Sequence, residues 1–263
     1  MKEIIKVENL TKQYSGFKGA KAVTALDNIN LTVQEREFIG VMGPSGSGKT
    51  TLLNVLSGVD SSTSGKILIE GSDIAKIKGD DLALFRRRKT GYIFQDFNLL
   101  DSLTIKENIA LPLILDKVSP HESEARAQEL LNFFRIADIA DKYPYFVSGG
   151  QKQRSAAARA LILSPAVVFA DEPTGNLDSK SSADIMQMLY SMNRERGATI
   201  LMVTHDAFAA SWCKRIIFIK DGKIHTEIQN PGNHREFFDK IMETLLVVAG
   251  GVDCQVKLTT FYK

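Results

Sequence analysis

One run of eight residues constrains this chain more than any other: Gly43-Pro44-Ser45-Gly46-Ser47-Gly48-Lys49-Thr50. It follows the apolar stretch Phe38-Ile39-Gly40-Val41-Met42, which reads as a buried strand. It leads into Lys49 to Leu56, where apolar residues recur at helical spacing and Gly58 supplies a stop. The spacing G-x-x-x-x-G-K-[ST] between a strand and a helix is a phosphate-cradling pattern. Its glycines let backbone N–H groups converge on an anion, and the helix presents the positive end of its dipole. The candidate phosphate set is Gly43, Pro44, Ser45, Gly46, Ser47, Gly48, Lys49, Thr50 and Thr51. Lys49 adds a full charge between β- and γ-phosphates, and the Thr50 hydroxyl is a Mg²⁺ ligand. A flexible Gly/Ser turn is the bland alternative, and it leaves both flanking elements unexplained.

A second apolar strand, Val167-Val168-Phe169-Ala170, ends in two carboxylates, Asp171 and Glu172. Asp171 at the strand's C-terminal edge can hold Mg²⁺, leaving Glu172 to orient or activate an attacking water. Taken alone, the pair would be an acidic turn. Combined with the phosphate loop it reads as a nucleoside triphosphatase or a nucleotide-dependent kinase.

The 263 residues carry a formal net charge of +2 with 44% apolar and 24% charged residues, ordinary for a globular chain with a substantial core. The near balance of charge argues against a general nucleic-acid binder. The longest apolar stretches, Ala166 to Ala170 and Leu245 to Gly251, fall far short of the roughly 20 residues that cross a bilayer. The opening MKEIIKVENLTK carries Glu3 and no long apolar segment, so no secretory leader is expected and cytoplasm is the default. Cys213 and Cys254 have neither CxxC spacing nor nearby ligands, and are expected to be reduced, incidental thiols.

Residues 4–42 read as β-rich, and about 97–165 as a helical insertion. Thr104-Ile105-Lys106-Glu107 and Ser119-Pro120-His121-Glu122 both fit capping boxes. Beyond the insertion come a strand over 167–171, a helix over 180–196, a strand over 198–204 and a short helix. A hairpin around Lys220-Asp221-Gly222-Lys223 follows, then an amphipathic helix near 234–246.

Between the two halves stands Val147-Ser148-Gly149-Gly150-Gln151-Lys152-Gln153-Arg154, before a helix. It resembles the signature motif of ATP-binding cassette (ABC) ATPases, a motif that phosphate-acceptor kinases lack. Physically it is another anion site, with the Ser148 hydroxyl, two glycines permitting close approach and a helix N-terminus. The resemblance implies a P-loop α/β core with an antiparallel β subdomain and an inserted helical subdomain, over 1–228, and a C-terminal extension over 229–263.

It also implies roles for further residues. Tyr14 falls where an aromatic ring stacks on adenine, unless it is an ordinary strand aromatic. Gln95, closing Gly91-Tyr92-Ile93-Phe94-Gln95, matches the glutamine that reaches Mg²⁺. His205 matches the switch histidine that contacts the γ-phosphate. Asp178, in Gly175-Asn176-Leu177-Asp178, serves an interface loop, a helix N-cap or both. The catalytic set is then Glu172, His205, Lys49 and Gln95; the metal set is Thr50, Gln95 and Asp171. Ser148, Gly149, Gly150 and Gln151 join the nucleotide set, with ATP and Mg²⁺ as ligands. One set of motifs implies two copies sandwiching two MgATP head to tail.

Lacking a span of its own, the chain resembles a separate transporter subunit, implying a multi-span membrane permease and a place on the cytoplasmic face of the membrane. Phe97 to Thr104 is where the family receives the permease. Thr24-Ala25-Leu26-Asp27, Phe97-Asn98-Leu99-Leu100 and Ala170 to Asp178 look like the macrolide-exporter and lipoprotein-release group. Asp101 to Leu115, Phe218 to Lys223, Arg235-Glu236-Phe237-Phe238 and Gly250-Gly251-Val252 are similar to bacitracin-type peptide-resistance ATPases, which work with a sensor histidine kinase. The ATPase of a lipoprotein-release or macrolide-type system, a nutrient importer and a soluble cassette such as one for iron–sulfur assembly are the alternatives. Arg86-Arg87-Arg88-Lys89 reads as a solvated helical face or an acidic-lipid site, and the Leu130, Leu131, Phe133, Phe134 cluster as subdomain core or partner groove.

Overall fold

The computed structural model describes residues 2–15, 22–248 and 250. Cys254, Gly251 and Val252 lie outside them. The β-rich opening resolves into two long strands, β1 (Glu3–Tyr14) and β2 (Val23–Gln34), paired antiparallel. After them come β3 (Phe38–Met42) and α1 (Lys49–Leu56), where the buried strand and helix were expected. The next two strands, β4 (Ser64–Ile69) and β5 (Ser72–Asp73), complete a four-stranded antiparallel sheet in the order β2-β1-β4-β5.

The chain then runs through α2 (Gly79–Lys89), β6 (Thr90–Ile93), α3 (Ile105–Leu115), α4 (Pro120–Phe133) and α5 (Gly149–Leu161). Thr104 caps α3 with the full reciprocal box, its hydroxyl accepting from Glu107 N–H while the Glu107 carboxylate accepts from Thr104 N–H. At Ser119 only the forward half forms: the hydroxyl accepts from Glu122 N–H, with Pro120 opening the helix. Leu130, Leu131 and Phe134 are buried, so that cluster is core.

Alternation resumes with β7 (Val167–Asp171), α6 (Ser179–Arg196), β8 (Ile200–Val203), α7 (Ala207–Ala210), β9 (Arg215–Lys220), β10 (Lys223–Gln229) and α8 (His234–Val248). The turn into β10 puts Asp221 at φ 48° and Gly222 at φ 75°, both left-handed, as a two-residue hairpin demands. The second sheet has the order β10-β9-β3-β8-β7-β6, parallel from β9 to β6 with β10 antiparallel at its edge.

This sheet is covered on both faces, which is why its central strands are apolar at every position. In β3, Ile39 and Val41 face the antiparallel sheet while Phe38 and Met42 face the helices. In β8, Leu201 and Val203 take the first side and Ile200 and Met202 the second. Alternation therefore persists, dividing two cores rather than core from solvent. Phe237, Ile241 and Val248 of α8 are buried in the helical-side core. All four cations of the Arg86 to Lys89 run are occupied within the chain: Arg86 on Gly58 O, Arg87 on Leu115 O, Arg88 on Asp116 and Lys89 on Glu70.

Candidate nucleotide site

Central position and parallel register bring the site to the C-terminal edge of β3, β7 and β8. Past Met42 the chain turns at Gly43, φ 153°, where a Cβ would lie 2.0 Å from the Ile219 carbonyl oxygen. Gly48, φ 102°, is equally confined, a Cβ there falling 2.4 Å from the Ala25 carbonyl oxygen. Gly48 caps α1 without a side chain, so amides at that helix start remain for an anion. Ser45, Gly46 and Thr50 are exposed at the loop's mouth, Pro44 and Thr51 are half-buried, and the Ser47 Oγ is buried with no partner. Lys49 folds back, its Nζ donating to Gly43 O at 2.9 Å and Pro44 O at 2.8 Å. Burial pulls the Lys49 pKa down, and the charges of Glu172 and Asp171 push against that.

The carboxylates arrive through strand pairing. Asp171 pairs with Val203 in the parallel ladder, so the residues just beyond both strands meet. Glu172 leaves β7 at φ 45°, its N–H donating to Val203 O at 3.0 Å. Its Oε2 lies 2.9 Å from Nδ1 of His205. Asp171 is half-buried, and its Oδ1 is inaccessible and without a hydrogen-bond partner. Burial first, and then the neighbouring Glu172 charge, raises the Asp171 pKa; the Thr50 hydroxyl and Lys49 oppose the rise. A buried carboxylate oxygen lacking a donor, beside a threonine hydroxyl, fits a hard cation that takes its remaining ligands from phosphate. Among the described residues no group of three His, Cys, Asp or Glu would hold a metal alone.

Gln95 follows β6 and is exposed, its amide packed where a Cβ on Gly175 would lie 2.9 Å from Nε2. Asn176 closes the same corner, donating to Gln95 O at 3.2 Å and Asp96 Oδ1 at 2.8 Å. No hydrogen bond joins the Gln95 side chain to Thr50 or Asp171. Asp178 is the N-cap of α6, its Oδ1 accepting from the N–H groups of Lys180 and Ser181.

Ser148 and Gln151 form a capping box at the start of α5: Ser148 Oγ accepts from Gln151 N–H and Gln151 Oε1 from Ser148 N–H. Gly149 and Gly150 lie against Leu177 and Ser181, next to the start of α6. Two residues of this helix escaped the sequence reading. Gln153 is fully buried and donates to Pro173 O at 2.8 Å and Phe94 O at 3.4 Å, joining the turns that carry Glu172 and Gln95. Arg159 donates to the carbonyls of Phe97 and Asn98. Helical spacing with Ala157 and Ala160 was the available signal for the burial of Gln153; Arg159, half-buried, does not share that spacing.

Tyr14 ends β1 opposite Val23, 42% exposed. Its hydroxyl donates to Asp60 Oδ2 at 2.8 Å, and the Lys12 ammonium stands 4.7 Å from its ring centroid.

Loop amides, a folded-back lysine and paired carboxylates suit a phosphate-bearing ligand, and comparison with known proteins identifies the family. A model of the ABC transporter family matches residues 26–175. The uncharacterized ABC transporter ATP-binding protein YvcR of Bacillus subtilis is 53% identical over 94% of this chain and 95% of its own length. The bacitracin export ATP-binding protein BceA of Halalkalibacterium halodurans is 48% identical over 94% and 97%. Among solved structures, the ATP-binding cassette MJ0796 of Methanocaldococcus jannaschii, dimeric and bound to ADP and Pi, superposes with a TM-score of 0.79. It shares 41% identity over 87% of this chain and 100% of that one. With its phosphate loop, paired carboxylates and signature helix in the order of that family, the chain belongs to the ABC transporters, as an ATP-binding and ATP-hydrolysing subunit.

Proposed function

We propose that this subunit energises a membrane permease that confers resistance to bacitracin-like antimicrobial peptides. The observation carrying that reading is the 48% identity, end to end, with a bacitracin export ATP-binding protein. No described helix is long and apolar enough to cross a membrane, so the chain is taken to sit peripherally on the cytoplasmic face through the permease.

In the proposed chemistry the backbone N–H groups of residues 45–51 and the Lys49 ammonium grip the phosphates, and Tyr14 stacks on the adenine. Thr50, Asp171 and Gln95 would hold Mg²⁺, which would supply positive charge to neutralise the phosphates. Glu172 accepts a proton from the attacking water as its oxygen bonds to the γ-phosphorus and the bond to the β–γ bridging oxygen breaks. ADP and phosphate leave, and the proton returns to solvent. His205, already in contact with the Glu172 carboxylate, orients it and faces the γ-phosphate. Ser148, Gly149, Gly150 and Gln151 of one copy cover the phosphate of a second copy, in keeping with the dimeric MJ0796 cassette.

A groove of about 420 Å³ between α2, α3 and α5, lined by Tyr92, Phe94, Leu111 and Leu115, opens beside Asn98 and is the proposed landing point of the permease. Affinity purification from detergent-solubilised native membranes tests the assignment. Co-purification of a large permease, with a sensor histidine kinase, is the expected result. A small importer permease with a solute-binding protein, or soluble partners alone, would refute it.

A further inference from the structure

Beside the proposed adenine platform lies an ion cluster outside the phosphate machinery. Lys12 is a buried lysine, 7% exposed, on β1. Its Nζ donates to Asp60 Oδ1 and to Ser61 O, both at 2.7 Å. The second oxygen of the same carboxylate accepts the Tyr14 hydroxyl at 2.8 Å. Asp60 thus bridges an ammonium and a phenol, and the ammonium in turn stands 4.7 Å from the Tyr14 ring centroid. Hydrogen bonds from Lys12 and Tyr14 hold the Asp60 carboxyl below its usual range despite the opposing effect of burial.

We propose that Asp60 and Lys12 are positioning residues for base recognition: they clamp the Tyr14 ring, cover one face of it and leave the other for a purine. This deepens the stacking role proposed for Tyr14 and rests on it. Three features support it. Unclamped, an aromatic ring 42% exposed at the end of a strand would have to be ordered by each incoming base, at the cost of its rotamer freedom. The clamp is attached to α1, since Val59 N–H and Asp60 N–H both donate to Asn54 O near that helix's C-terminus. The same helix opens on the phosphate loop, so base platform and phosphate cradle share one rigid element. Finally, a ring whose one face is taken by a cation offers a single stacking face, which fixes the side from which the base enters.

The test is calorimetric binding of ATP and of inorganic tripolyphosphate, without Mg²⁺, to the full chain and its variants. Tripolyphosphate has no base, so a ring-positioning defect leaves its affinity unchanged. Tyr14→Ala should weaken ATP by at least about fivefold and tripolyphosphate not at all. Asp60→Ala should weaken ATP by about threefold, the cost of ordering one freed side chain, again sparing tripolyphosphate. Tyr14→Phe keeps the ring but cuts its tie to Asp60; it should match Asp60→Ala, and the double variant should be no weaker than the weaker single. Lys12→Met, which keeps the buried stem, should fall in the same direction and serves if Asp60→Ala does not fold. A selective defect in Tyr14→Ala with wild-type ATP affinity in Asp60→Ala, Tyr14→Phe and Lys12→Met overturns the clamp and spares the stacking role. Equal loss of both ligands in those variants also overturns it, because the cluster then supports the loop and not the ring. No selective loss in Tyr14→Ala overturns the stacking role itself.

Discussion

Glu172 is held by two neighbours at once, a backbone bond to β8 and a side-chain contact with His205, in a left-handed conformation that non-glycine residues seldom adopt. That over-determination aims one carboxylate at one place. Glu172→Gln preserves shape and removes the proton acceptor; phosphate release should fall by about 10² to 10⁴ while ATP affinity stays near wild type. A variant hydrolysing at full rate would remove Glu172 from the mechanism. Asp171 gives a prediction with a pH sign. Its folded pKa is raised, so the neutral form is favoured by folding and ionisation costs stability. That cost is absent below the ordinary value of 3.8 and grows as pH climbs through the raised folded value. In EDTA and without nucleotide, Asp171→Asn should therefore melt higher than wild type at neutral pH, with the gap closing on acidification. A variant melting lower at neutral pH would refute the reading that burial makes the Asp171 charge costly.

Elements show which parts of the site were legible in the linear chain and which were not. Gly43 to Thr50 and Asp171-Glu172 could be read because strand, loop and helix chemistry is local. The meeting of Glu172 with His205 was not read from the sequence; it follows from the parallel register of β7 and β8 in space. Gln153 and Arg159 were silent because their partners are carbonyls of Phe94, Phe97, Asn98 and Pro173, which carry no side-chain signal. Asp60 was unreadable for a related reason: it lies in the turn after α1, and its two side-chain partners lie on β1, far off in sequence. Close packing between α5 and β6 was equally hidden, since it depends on Gly91, where a Cβ would fall 2.3 Å from the Ala160 carbonyl oxygen. Gly91→Ala should lower stability by about 1–3 kcal/mol in denaturant unfolding, and an unchanged midpoint would mean that the helix can shift freely. In the Asn98-Leu99-Leu100 segment, Leu99 packs against the core while Leu100 is 47% exposed. Leu100→Ala should therefore reduce transport per ATP hydrolysed in permease-containing vesicles without lowering ATP affinity; full transport would relieve this residue of any coupling role.

On the scale of the whole molecule, the signature end of α5 is closed by the Ser148–Gln151 capping box and lies against the start of α6, with no hydrogen bond to the phosphate loop of the same chain. A second copy would complete it. With ATP, Glu172→Gln should double its mass in light scattering and revert to monomer when nucleotide is removed; a monomer at saturating ATP would refute the sandwich. Helix α5 has a mechanical meaning as well. Along its 13 residues it is capped by Ser148, tied through Gln153 to the turns that carry Glu172 and Gln95, and tied through Arg159 to Phe97 and Asn98. That is a stiff bar about 20 Å long with three attachments. A bar cannot be pulled at one attachment and stay still at the others, so a load applied at Asn98 would reach the Ser148 cap and the turn carrying Glu172 as a single displacement.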